Sequence, residues 1–184
     1  MAGGLNKSFI NNPTGFMASN FIHVPVGAGG GALMQGVSQF GLTTIGGGGC
    51  ILGNFASNSY FAHPIHAFFL LANPNAYNTQ VLPLNADVMF TNHLNGCQFL
   101  AYGPDRNNVT VEHNNWLNGP ASNYTNRAAA IAGAGHGFFF QLRPGIEYNV
   151  MDGANVVGVR GPGGWQFYVR HDANANPGPV TGPH

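Results

Sequence analysis

The chain has 184 residues, 44% of them apolar and only 7% charged, with equal numbers of acidic and basic groups and a pI near 7.1. That length lets one domain bury a core without metal or disulfide staples, and so little charge, against about 25% in an ordinary globular protein, excludes a charge-rich disordered chain. Arg106, Arg127, Arg143, Arg160 and Arg170 are dispersed, so no basic field exists to gather phosphates or anionic lipid, and neither nucleic acid nor a membrane is an expected partner.

Met1 to Phe21 has neither a basic start nor an apolar run of signal-peptide length, and no segment approaches the ~18 apolar residues of a membrane span. Lys7 is the only lysine. One reading is a protein that must survive in a foreign eukaryotic cytosol, where few lysines offer few sites of modification; a biased composition explains it as well.

Glycine and proline interrupt the sequence so often that long helices are excluded, while short apolar or alternating runs recur between turn clusters. In chain order the expected strands are Phe21 to Val26, Cys50 to Phe55, Phe68 to Leu71, Asp87 to Thr91, Cys97 to Tyr102, Val109 to His113, Gly137 to Leu142, Glu147 to Met151, Asn155 to Arg160 and Gln166 to Arg170. Gly27 to Gly31 and Gly46 to Gly49 read as flexible loops, because neither carries the lysine and hydroxyl residue of a phosphate-binding loop. Ser57 to Ala67 is a weak helix candidate that Pro64 restricts to its early turns, and Ser122 to Ala132 is a stronger one, capped by Ser122 or Asn123 and ended by Gly133.

After Arg143 the signals favour a meander. Pro144-Gly145 turns the chain, Asp152-Gly153 is a two-residue hairpin signal, and Gly161 to Gly164 separates the last two strands. The expected fold is therefore α+β: a mostly antiparallel two-sheet β-sandwich with one or two flanking helices, forming a single domain over residues 1–172. Residues 173–184, rich in Asn, Pro and Gly, read as a mobile C-terminal tail.

Cys50 and Cys97 sit in different settings and are expected to be free thiols. His63 and His66 could share a metal, but Pro64 disturbs their common face and no carboxylate or cysteine completes a ligand set, so neither metal nor cofactor is expected.

The chemistry-bearing region is a hairpin. If Tyr102 pairs with Asn108, the register places Cys97 directly across from His113, close enough for a thiol and an imidazole to share a proton; if Gly103 pairs with Asn108 instead, the two side chains fall on opposite faces. Before the cysteine the chain reads Thr91-Asn92-His93-Leu94-Asn95-Gly96-Cys97, and the sharp Asn95-Gly96 turn would present Cys97 with its own amide as an oxyanion donor.

Thr91 to His113 resembles the active-site segment of the glutamine deamidase toxin family related to cytotoxic necrotizing factor and Burkholderia lethal factor 1, within the wider CheD-like deamidases. The shared features are the Leu-x-Gly-Cys turn, the six-residue Thr-to-Cys spacing and a histidine on the next strand. Asn95 stands where that family has serine. The resemblance implies Cys97 as nucleophile, His113 as general base and Thr91 as the residue orienting it, with no cofactor. Asn95, Gly96, His93 and Trp116 are the further candidates for substrate contact.

It also implies a bacterial toxin or effector, without an N-terminal signal peptide, that is made in the bacterial cytoplasm and delivered into a host cytosol. Its partner would be a protein carrying a reactive glutamine, by family analogy a translation-initiation helicase or a Rho-family GTPase; a monomer is expected. The same thiol chemistry would serve a transglutaminase or a cysteine peptidase, and a non-catalytic β-sandwich binding module is the remaining alternative.

Overall fold

The structure is a computed structural model that describes residues 2–24, 33, 35–46, 49–54, 63–116, 119–172 and 177–184. In chain order the elements are α1 (Ala2–Asn11), α2 (Pro13–Ser19), β1 (Phe21–His23), β2 (Gly36–Gly46), β3 (Gly49–Asn54), β4 (Ile65–Leu70), β5 (Ala76–Val81), β6 (Val88–Thr91), β7 (Gln98–Asp105), β8 (Asn108–Asn115), α3 (Ser122–Gly133), β9 (Phe138–Leu142), β10 (Ala154–Gly161), β11 (Gly164–Asp172) and β12 (Pro177–Thr181). The fold is α+β with two sheets. A large sheet has the order β1-β3-β2-β4-β6-β10-β11-β12, and a small antiparallel sheet has the order β5-β8-β7-β9.

The large sheet is mixed, because β1 pairs with β3 and β4 with β6 in parallel. The β4·β6 pair matters for the site, since its register sets Thr91 beside Leu70. Along β6, Met89 joins a core cluster shared with the small sheet while Val88 and Phe90 join a cluster on the other side, the period-two alternation of a strand buried on both faces. By the same period Thr91 faces the small sheet.

The shared cluster interleaves Phe68, Leu70, Met89, Val156 and Phe167 of the large sheet with Phe99, Ala101, Val111 and Leu142 of the small one. On the far side of the large sheet, Phe9, Phe16 and Met17 from α1 and α2 pack on Phe40, Leu52, Phe69 and Phe90. The third helix covers the outer face of the small sheet through Ala128 and Ile131, which meet Leu100 and Tyr102.

Several elements depart from the sequence reading, each for a local reason. Gly3 and Gly4 argue against a helix at α1, yet tertiary contacts hold it: the Phe9 ring meets those of Phe16 and Phe90 at 5.5 and 5.6 Å, and buried Asn6 donates to the His63 carbonyl and accepts from the Leu42 N–H. At α2, Asn12 accepts the Gly15 N–H as a cap ahead of Pro13. Ser57 to Ala67 is not a helix where it can be seen: Ile65 already begins β4, and residues 57–62 lie outside the described ones. β2 and β5 were missed because their glycines and polar residues blur the alternation.

Glu147 to Met151 forms turns rather than a strand. The Glu147 carboxylate takes the Arg143 N–H and guanidinium, and the Asn149 side chain takes the Met151 N–H, so donors a ladder would need are used locally. The C-terminal segment is not a free tail either: β12 pairs with the edge of β11, the His184 N–H donates to the Phe167 carbonyl, and the His184 ring stacks on Phe140 with centroids 4.8 Å apart. An otherwise open strand edge supplies the reason. Of the glycine clusters, Gly46 pairs with Gly49 to close the β2–β3 hairpin, while 27–31 lie outside the described residues.

Candidate functional site

The hairpin register differs from both sequence alternatives. Phe99, not Cys97, lies opposite His113, and Tyr102 lies opposite Thr110. The cause is Asp105, whose carboxylate accepts the N–H groups of Asn107 and Asn108; this tightens the loop to Arg106-Asn107, keeps Gly103 to Asp105 in the strand and forces a bulge after Tyr102. Relative to the Tyr102–Asn108 pairing the shift is two residues, so the side-chain faces are preserved. Cys97 lies two residues before Phe99, just ahead of β7, and shares with Phe99 the apolar cluster between the two sheets, the side of β8 to which His113 turns.

His113 is fully buried, and its Nδ1 is 2.7 Å from the Thr91 hydroxyl. That hydroxyl has one proton, and it donates it to the Leu70 carbonyl at 3.0 Å. Thr91 must then accept from the ring. Nδ1 carries the imidazole proton, and Nε2 is left with a bare lone pair and no hydrogen-bond partner among the described residues. Burial pushes the imidazole down to about 3, so the ring is neutral at physiological pH.

Cys97 is 5% exposed, and burial pushes its thiol up to about 11. Its sulfur is 4.0 Å from the Asn95 carbonyl. Thiol and imidazole are therefore both neutral, and the same desolvation opposes a standing thiolate–imidazolium pair from each side. The other thiol, Cys50, is also free and buried, beside Asn20 in the far core.

Two tyrosines that the sequence reading did not single out hold the cysteine turn. The Tyr124 hydroxyl donates to the Gly96 carbonyl at 2.9 Å and accepts the Trp116 N–H at 3.1 Å. The Tyr148 hydroxyl donates to the Cys97 carbonyl at 2.5 Å. Burial raises both phenols above their ordinary values, which keeps them protonated and able to donate. Tyr124 was findable, since it shares with Ala128 and Ile131 the i, i+4, i+7 face that α3 turns to the sheet. Tyr148 carries no such signal.

The remaining candidates are distributed around this turn. Gly96 adopts φ +79 and Asn95 is exposed, as a tight turn at the surface requires. His93 is half-buried with its ring against Gly153, so close that a Cβ there would lie 2.4 Å from the ring. Trp116 is half-buried between Tyr77 and Tyr124, at 6.1 and 5.4 Å between centroids. His66 meets Gln39 on the large sheet, and no group of three or more potential metal ligands occurs among the described residues.

No protein-family model matches the chain, and no curated protein is similar to it.

On the opposite face of β8 lies a second, buried polar cluster. Glu112 is fully buried and takes the Arg127 guanidinium, the Tyr102 hydroxyl at 2.6 Å and the Asn114 amide at 3.4 Å. Burial alone would raise its carboxyl, but these donors outweigh it and hold the group below its ordinary value. The cluster pins α3 to the sheet and, through that helix, places Tyr124. Arg127 also lies over the Tyr77 ring, 5.1 Å from its centroid. No described helix is long and apolar enough to cross a membrane.

Proposed function

We propose that this chain is a cysteine-dependent amidohydrolase that converts a glutamine of a target protein to glutamate, a bacterial effector of the deamidase toxin type. The observation that carries the reading is the Thr91–His113 bond, because it leaves Nε2 as a bare base on the inner face that Cys97 shares. In support, Thr91, Cys97 and His113 are the residues that the sequence resemblance assigns to the chemistry. The packing of the two sheets as a sandwich belongs to the same proposal and is supported by their common apolar cluster.

As the thiol attacks the carboxamide carbon, Nε2 of His113 takes the sulfur's proton in the same step, which suits a pair that is neutral at rest. The carboxamide oxygen becomes an oxyanion on the Cys97 amide. Imidazolium then returns the proton to nitrogen, the C–N bond breaks and ammonia leaves. Water, deprotonated by the same imidazole, cleaves the thioester to glutamate and regenerates the thiol. The target class, by analogy a translation-initiation helicase or a Rho-family GTPase, would be met inside a host cell.

The test is a search of lysate proteins for a one-dalton gain at glutamine after treatment with wild type, Cys97→Ser and His113→Ala. Gain with wild type and loss in both variants is expected; gain in either variant rejects the mechanism. Added primary amine captured at the same glutamine would make the enzyme a transglutaminase, and backbone cleavage would make it a peptidase.

A second reading, a non-catalytic binding module, draws on the burial of Cys97 and His113 and the lack of a hydrogen bond between them. It expects no glutamine change with any form of the protein.

A further inference from the structure

We propose that Tyr124 is the positioning residue for the Cys97 amide, fixing the direction in which that N–H meets developing negative charge; this rests on the reading of Cys97 as an acyl-accepting nucleophile. The peptide unit between Gly96 and Cys97 is planar and trans, so its C=O and N–H point in opposite directions. A hydroxyl that holds the Gly96 carbonyl at 2.9 Å therefore also aims the Cys97 N–H, and by drawing electron density to oxygen it strengthens that N–H as a donor.

The turn needs such a restraint. Gly96 sits at φ +79 with nothing within 4 Å of where a Cβ would be, so no neighbour at that position restrains the turn, and of the two phenols that hold it Tyr148 takes the Cys97 carbonyl while Tyr124 takes the Gly96 carbonyl of the peptide that carries the Cys97 N–H. Tyr124 is well placed to supply the restraint. It is 7% exposed, its phenol oxygen also accepts the Trp116 N–H just beyond β8, and its own carbonyl accepts from Gln98, the residue after the nucleophile. One phenol oxygen thus ties the strand that carries His113 to the turn that carries Cys97.

Two small probes separate this role from mere support of the fold. With p-nitrophenyl acetate, Sγ of Cys97 bonds to the acetyl carbon through a tetrahedral oxyanion, the thiol proton passes to His113 and p-nitrophenolate departs. With iodoacetamide, sulfur displaces iodide and no oxyanion forms. Both reactions are read at the Cys97 peptide by mass, at one pH, in wild type and Tyr124→Phe, with circular dichroism confirming the fold.

The expected result is acetylation slowed about tenfold or more, with alkylation changed by less than about twofold. Equal slowing of both reactions, or no slowing of acetylation, overturns the proposal and leaves the deamidase reading standing. Wild type that is never acetylated at Cys97 overturns both. Selective slowing of acetylation without any glutamine conversion in lysate supports the positioning role and rejects the deamidase reading alone.

Discussion

Thr91 and His113 come from different sheets, and the hydroxyl of one accepts the Nδ1 proton of the other at 2.7 Å while giving its own proton to Leu70. Thr91→Val removes the acceptor and leaves a buried N–H without a partner, at a cost of about 1–3 kcal/mol in unfolding free energy. The ring then loses its fixed tautomer, so acetylation of Cys97 should fall by about tenfold or more. Thr91→Ser should retain most of both. Urea unfolding and the acetylation rate check the pair, and an unaffected Thr91→Val protein would remove Thr91 from the site.

The two buried neutral groups each add to the pH dependence of stability. His113 titrates near 3 when folded against an ordinary 6.5, so between those values the unfolded chain binds the proton and the folded one does not. Stability is full above about 6.5 and declines as pH falls toward 3, by at most about 1.4 kcal/mol per unit from this group. Cys97 is shifted from 9.0 to about 11, so its contribution is full below 9.0 and is lost as pH rises toward 11. Urea midpoints measured across pH should show a plateau between these limits, and His113→Leu should weaken the acid decline. A wild-type midpoint unchanged down to pH 4 would contradict a neutral buried imidazole.

Arg127→Ala should cost about 3 kcal/mol, more than an exposed ion pair is worth, because Glu112 is fully buried and would be left charged without its cation. The measurement is chemical denaturation. Arg127→Ala combined with Glu112→Gln should recover part of the loss, since a neutral amide can keep the Tyr102 contact; a double variant no better than the single would show that the charge is not the cause.

Gly96 and Gly153 share a left-handed backbone, φ +79 and +74, but differ in surroundings. Gly96→Ala meets open space and should cost about 1 kcal/mol of backbone strain alone, whereas at Gly153 the new methyl would also drive into the His93 ring. Melting temperatures should therefore rank Gly153→Ala clearly below Gly96→Ala. The reverse order would mean that His93 can move aside.

Parts of this molecule are legible in one dimension because the signal is local. Gly161-Pro162-Gly163-Gly164 does close the β10–β11 hairpin, and the helix expected over Ser122 to Ala132 does form as α3, although its N-cap is Ala121 without a side-chain cap bond rather than Ser122 or Asn123, and Gly133 lies inside the helix rather than ending it. The link from Thr91 to His113 was also expected on resemblance to the deamidase toxins. Neither register open to Cys97 and His113 in the sequence is the one observed, because register depends on whether one carboxylate, Asp105, captures two amides, and composition cannot decide that. Tyr148 lay beyond reach for a related reason: Glu147 and Asn149 consume the donors on either side of it, so a segment with strand-like composition folds into turns that deliver a phenol to the Cys97 carbonyl.

A hydrogen bond that joins two sheets behaves as a gauge of their spacing. Because Leu70, Thr91 and His113 form such a bridge, a volume change at a distant filler such as Phe167, whose ring lies 5.8 Å from that of Phe99 opposite His113, would be felt at the His113 ring without touching it.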